Sequence, residues 1–219
     1  MRLYLTLTKN KETIPFNYQP YLTGAIHKWL GKDNREHDEM SLYSFSWLQN
    51  VTVKKSGIDL TRDAYFFISA YDEVLIKRIL KGIVQNPYLC YGSSVLDIQI
   101  ASNPPFQTGQ TFFTSSPVFI KRRIENNEKH ITYDNSSSGS YLTETLKKKL
   151  RAANLSADCV SVKFDETYPN PRTKIIRYNE IGNRVSVCPV VIEGTQEQLE
   201  FAWNVGVGNS TGIGFGALK

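Results

Sequence analysis

A chain of 219 residues, 41% hydrophobic and 21% charged, is long enough for one large domain or two of about a hundred residues, and apolar enough to fill real cores. No apolar run is long enough to cross a bilayer, and the opening MRLYLTLTKNKE alternates like a strand instead of carrying the apolar core and cleavage site of a signal peptide, so a cytoplasmic protein without a membrane partner is expected. The net charge of +5 favours a polyanionic partner. Cys90, Cys159 and Cys188 are odd in number and lack CxxC spacing, which argues against a disulfide framework or zinc site and for small buried thiols.

In chain order, MRLYLTLTK sets Leu3, Leu5 and Leu7 on one face of a predicted strand. From Tyr21 to Leu30, the residues Leu22, Ala25, Ile26, Trp29 and Leu30 recur at helical spacing, and Gly31 is a natural stop. SLYSFSWLQNV and AYFFISA read as two strands, DEVLIKRILKGIV as an amphipathic helix and SSVLDIQIAS as a further strand. That order, β-α-β-β-α-β, is the order of a ferredoxin-like unit over residues 1–103. NPPFQTGQ, at 103–110, interrupts it with prolines and glycine and reads as a linker.

Beyond the linker the pattern resumes: a strand in TFFTSSPVFIKRR, a loop in NSSSGS, a helix in GSYLTETLKKKLRAA, strands in DCVSVKFDE, TKIIRY and VSVCPVVIEG, a helix from Thr195 to Trp203, and a short last strand. The expected fold is α+β, two tandem ferredoxin-like (β-α-β-β-α-β) domains spanning 1–103 and 110–219. GxxxxGK[ST] and HExxH are lacking, and the glycines at the end leave too little chain after them for a nucleotide-binding βαβ unit. Gly206, Gly208, Gly212, Gly214 and Gly216 crowd the final stretch, and such a concentration predicts a close approach by another chain segment or a ligand.

The ending VGVGNSTGIGFGALK resembles the carboxy-terminal glycine-rich signature of the CRISPR repeat-processing endoribonucleases, the Cas-six family of the RAMP superfamily. IPFNYQPYLTGAIHKWL, SSPVFIKRR and PNPRTKIIRY agree in order, so the resemblance runs along nearly the whole chain. It implies two ferredoxin-like domains and an antiviral-defence endoribonuclease that binds CRISPR repeat RNA and cuts precursor transcripts into guide RNAs without metal or other cofactor. The implied partners are the repeat RNA, subunits of a CRISPR effector complex and a second copy of the chain.

Metal-free cleavage uses the ribose 2′-hydroxyl as nucleophile, so the protein supplies a proton acceptor, a donor for the leaving 5′-oxygen and positive charge for the phosphorane. Histidine suits both proton roles at neutral pH. His27 lies on the first helix but off its apolar stripe, and His37 sits in the following loop, GKDNREHDEMS. The family draws its proton-transfer residues from this helix and loop, so the resemblance implies catalytic roles for His27 and His37; solvated surface histidines are the plain alternative. The family's lysine shortly after the loop histidine is missing, since Asp38 to Leu42 contain no lysine or arginine. Lys28, Lys32 and Arg35 are alternatives, with Lys28 counted in the catalytic set. His130, in a polar turn or hairpin, is expected to face solvent.

For binding, glycine turns present backbone N–H groups to phosphate, which places Gly206, Gly208, Gly212, Gly214 and Gly216 beside RNA and against the first helix; a tight packing loop between domains is the alternative. Basic clusters at Lys121, Arg122 and Arg123 and at Arg172, Lys174 and Arg177 are expected to follow the RNA backbone. In KKKLR, helical spacing around Leu146 and Leu150 sends several charges to water. Two rival functions remain: a non-catalytic RAMP-type RNA-binding subunit of a CRISPR effector complex, and an unrelated RNA binder that stacks bases on Tyr4, Tyr43, Phe45 or Tyr65, although strand aromatics are usually core.

Overall fold

Leu3, Leu5 and Leu7 are buried on one face of β1 (Arg2–Leu7), as their alternation requires. The structure is a computed structural model described over residues 1–31 and 40–219. In its first half, α1 (Gln19–Leu30) begins with Pro at the first turn and stops at Gly31, whose φ of 86° ends the helical path. There follow β2 (Tyr43–Phe45), β3 (Gln49–Lys54), β4 (Gly57–Ala70), α2 (Glu73–Gln85), β5 (Tyr88–Cys90) and β6 (Ser93–Ala101). The strands form an antiparallel sheet in the order β2-β4-β1-β6-β5, with β3 also on β4, and Leu3 pairs with Ile68 on one side and Ile100 on the other. Both helices supply its core, where Leu22, Ile26 and Trp29 of α1 meet Phe66, Ile76, Ile79 and Ile83. Asp72 caps α2 by accepting from the Val74 N–H at 2.7 Å.

In the second half, β7 (Gln110–Phe112) is followed by a hairpin of β8 (Ile120–Ile124) and β9 (Asn127–Ile131), then α3 (Ser138–Ala152), β10 (Ser161–Phe164), a hairpin of β11 (Arg172–Tyr178) and β12 (Ile181–Val187), β13 (Val190–Glu193) and α4 (Gln196–Val205). The sheet order is β10-β13-β7. A second core joins Phe112, Leu142, Leu146, Val162, Val190, Leu199, Phe201 and Leu218. Thr195 opens α4 with a reciprocal capping box to Gln198.

Several expected strands are broken. SLYSFSWLQNV divides into β2 and β3 because Trp47 turns to the second half, its backbone N–H donating to the Ser115 carbonyl at 3.1 Å and its indole N–H to the Gly214 carbonyl at 2.9 Å. VSVCPVVIEG divides at Pro189, which has no N–H to offer a ladder, so that β12 pairs with β11 while β13 pairs with β10 and β7. TFFTSSPVFIKRR leaves one sheet after β7 and enters the hairpin at β8. The last residues make a single bridge, Thr114 to Leu218, with flanking hydrogen bonds between Phe113 and Lys219 in place of a full strand. Cys90 and Cys188 are buried thiols, but Cys159 is exposed in a turn at φ 57°, a correction to its expected burial.

The two halves are joined near the amino terminus by Arg2. Its side chain is 2% exposed, with the guanidinium carbon 3.8 Å from the ring centroids of both Phe67 and Trp203. Nε donates to Ser69 Oγ at 2.6 Å, and Nη2 donates to the Trp203 and Leu218 carbonyls at 3.2 and 2.9 Å.

Candidate active site at the glycine loop

After α4 the chain turns back on itself: the Val207 N–H donates to the Gly216 carbonyl at 2.9 Å, and a Cβ on Gly216, at φ 63°, would run into the Val207 carbonyl. A 3-10 turn at Thr211–Ile213 forms the tip. Four successive residues there accept side-chain hydrogen bonds from four different segments. Lys149 of α3 donates to Thr211 Oγ1 at 2.9 Å, Tyr43 of β2 to the Gly212 carbonyl at 3.0 Å, Gln19 of α1 to the Ile213 carbonyl, and Trp47 to the Gly214 carbonyl at 2.9 Å. Cβ atoms on Gly212 and Gly214 would meet Ser41 and Phe45. The expected packing of the loop against the first helix is therefore present, and β2 is a second neighbour that sequence did not suggest.

His27 stands at this junction. Its half-buried ring places Nε2 3.3 Å from the Tyr43 hydroxyl oxygen. That hydroxyl in turn donates to the Gly212 carbonyl at 3.0 Å, which links the His27 ring to the glycine loop through Tyr43. Lys28, the next residue, points elsewhere: Nζ donates to the Tyr88 carbonyl at 2.5 Å and lies over the Tyr88 and Trp29 rings, with partial desolvation lowering its pKa. The structure does not bring Lys28 to the His27 contact. His37, with Lys32 and Arg35, lies outside the described residues. His130, expected to face solvent, is instead half-buried: Nδ1 accepts from the Arg184 N–H at 3.1 Å and the ring packs on Phe119.

The basic clusters differ in character. Lys121 is exposed and paired with Glu128 at 3.0 Å, and Arg123 is exposed. Arg122 is half-buried and reaches back to α3, donating to the Tyr141 carbonyl at 2.6 Å and Thr145 Oγ1 at 2.8 Å. Arg172, Lys174 and Arg177 stand exposed on β11. In KKKLR, Lys148 and Arg151 do face water, but Lys149 is buried, on the same face of α3 as Leu142 and Leu146. Tyr43 and Phe45 are buried and closed to base stacking, while Tyr4 and Tyr65 are partly covered and pack together with ring centroids 6.0 Å apart. Among the described residues, no three His, Cys, Asp or Glu side chains gather as a metal site, and no helix is long and apolar enough to cross a membrane.

Fold and site together define a class: α+β proteins in which a histidine-bearing helix and the adjoining sheet edge of one half are locked to a carboxy-terminal glycine loop of the other. The chain belongs to the family described as CRISPR associated protein Cas6, C-terminal, whose family model matches residues 101–219. It is 27% identical over 234 aligned positions to a CRISPR-associated endoribonuclease Cas6 of Methanocaldococcus jannaschii, covering 100% of this chain and 92% of the relative. A solved structure of a CRISPR associated protein Cas6 aligns with a TM-score of 0.82 at 25% identity, covering 100% of this chain and 98% of the other. A RAMP protein binding different RNA substrates aligns with a TM-score of 0.84 at 19% identity, with the same coverage.

Proposed function

We propose that this chain is an endoribonuclease that binds CRISPR repeat RNA and cuts precursor transcripts into guide RNAs, in the cytoplasm and without a metal ion. Family membership supports the substrate class, and the observation that carries the site is His27 at the meeting point of α1, β2 and the glycine loop. The two halves, 1–103 and 110–219, are read as tandem ferredoxin-like domains, a reading supported by their separate cores and by the β6-β1-β4-β2 succession in the first sheet.

In the proposed reaction the 2′-hydroxyl loses its proton as it attacks the adjacent phosphorus, and the 5′-oxygen leaves with a proton. This forms a 2′,3′-cyclic phosphate and a 5′-hydroxyl. His27, whose Nε2 lies 3.3 Å from the Tyr43 oxygen, is proposed as one of the proton-transfer residues. His37 is proposed as the second proton-transfer residue. Lys28, committed to Tyr88 on another side of α1, is left out of that pair. The exposed Arg172, Lys174 and Arg177 track phosphates, and the glycine loop lies beside the RNA.

Repeat RNA incubated with the protein in EDTA tests this reading: cutting should proceed and leave cyclic-phosphate and 5′-hydroxyl ends. A repeat with a 2′-deoxy sugar at the cut site should bind but stay whole. Loss of cutting in EDTA that magnesium restores would overturn the mechanism.

A further inference from the structure

Beneath the glycine loop, α3 buries a cation that the reaction above does not use. Lys149 is 3% exposed, and besides Thr211 its amine donates to the Val205 and Gly206 carbonyls at 3.2 and 3.4 Å. Those are the last carbonyls of α4, where a helix end gathers only a fraction of a negative charge. Among the described residues no carboxylate pairs with this amine, and Glu144, on the same helix, is taken by Lys148 and Arg122. A buried cation without a full counter-charge is held at considerable desolvation cost. Desolvation accordingly pushes its pKa down to about 7.

Lys149 is not sealed in. It lines a cavity of about 210 Å³ with Ser41 and Thr145 on one side and Asn209, Ser210 and Thr211 of the glycine loop on the other. Arg122 holds two of the lining residues, its Nη2 on Thr145 Oγ1 and its Nη1 3.3 Å from Asn209 Oδ1, and its Nε is buried with no hydrogen-bond partner. The cavity therefore has a buried ammonium, a neighbouring guanidinium with an unused donor, and four hydroxyl groups around it. An oxyanion is the ligand that answers this set, because it supplies the charge that Lys149 lacks and an acceptor for the Arg122 guanidinium.

We propose that this cavity is a phosphate-binding site in which Lys149 and Arg122 hold one backbone phosphate of the bound RNA against the glycine loop. The proposal rests on the RNA-binding reading above. It accounts for the loop's rigid anchoring, since a phosphate clasped between Asn209–Thr211 and α3 needs both walls fixed.

The test is repeat-RNA affinity measured across salt concentration for the wild type, Lys149→Met and Arg122→Gln. Lys149→Met should flatten the dependence of log K on log salt by roughly 0.7 to 0.9, one phosphate contact, and weaken binding by about tenfold. Arg122→Gln should act in the same direction. A lysine that merely caps α4 would lower the melting temperature and leave the salt slope at the wild-type value, which overturns the proposal. If Lys149→Met does not fold, the wild type decides through inorganic phosphate titrated at constant ionic strength, with the Asn209–Thr211 amides followed by NMR. A saturable shift that repeat RNA abolishes is expected. The absence of a shift overturns the site, and a shift that RNA leaves intact assigns the cavity to free phosphate instead. Wild-type protein that binds phosphate there but binds no repeat RNA would refute the functional reading while leaving an anion site.

Discussion

Two buried cations, Arg2 and Lys149, hold segments of the second half in place, and they are built in opposite ways. Arg2 is stacked between Phe67 and Trp203 and donates to a hydroxyl and two carbonyls, a flat delocalised charge in an aromatic slot. Lys149 is a compact ammonium beside an open cavity. Burial lowers both, but Arg2 falls only to about 10, so it remains charged at neutral pH, whereas Lys149 falls to about 7. A guanidinium between rings is a permanent staple; an ammonium at the edge of its charging range responds to whatever enters the cavity next to it.

The largest expected effect comes from breaking the loop that Lys149 supports. Gly216→Val forces a β-branched residue to φ 63° and drives its Cβ into the Val207 carbonyl, which should destabilise the protein by about 4 kcal/mol or more in urea unfolding. Wild-type stability would mean that the loop can move aside, and the fixed wall assumed for the cavity would be lost. Next is the staple: Arg2→Leu removes three charge-assisted hydrogen bonds and strands their acceptors, costing roughly 3 kcal/mol in the same measurement. An unchanged midpoint would show that the aromatic slot alone joins the halves.

His27→Ala separates chemistry from anchoring. Single-turnover cleavage should slow about a hundredfold, near 2.7 kcal/mol of barrier, while repeat affinity stays close to that of the wild type. Equal cleavage rates would remove His27 from the proposed mechanism. The smallest effect is a slope. Between about pH 7 and the ordinary lysine value, the unfolded chain holds a proton at Lys149 that the folded chain lacks, so this residue makes stability rise with pH across that window. The contribution is at most about 1.4 kcal/mol per pH unit. The difference in stability between wild type and Lys149→Met should carry this rise; Arg2→Leu should retain it. Parallel stability curves for wild type and Lys149→Met would show that the amine is not desolvated as its burial implies.

The sequence by itself determined what depends on local period and on single-residue conformational freedom. Alternation in β1 and helical spacing in α1 and α2 select which faces are buried, Gly31 stops α1, and the glycine ending marks a place where chain segments pass closely, all of which the structure bears out. Tertiary structure alone decided where strands stop and which polar groups meet. Trp47 breaks a strand because its donors are claimed by Ser115 and Gly214, and Pro189 divides another between two sheets. Tyr43 read as an ordinary strand aromatic, and Lys149 as one of a solvated run. Tyr43 meets Gly212 only when the halves close, and Lys149 meets Thr211 and the end of α4 only when the second half folds on itself. Local pattern reports the side a residue faces; what it meets there depends on long-range packing, and hydrogen bonding between distant segments leaves no period in the chain.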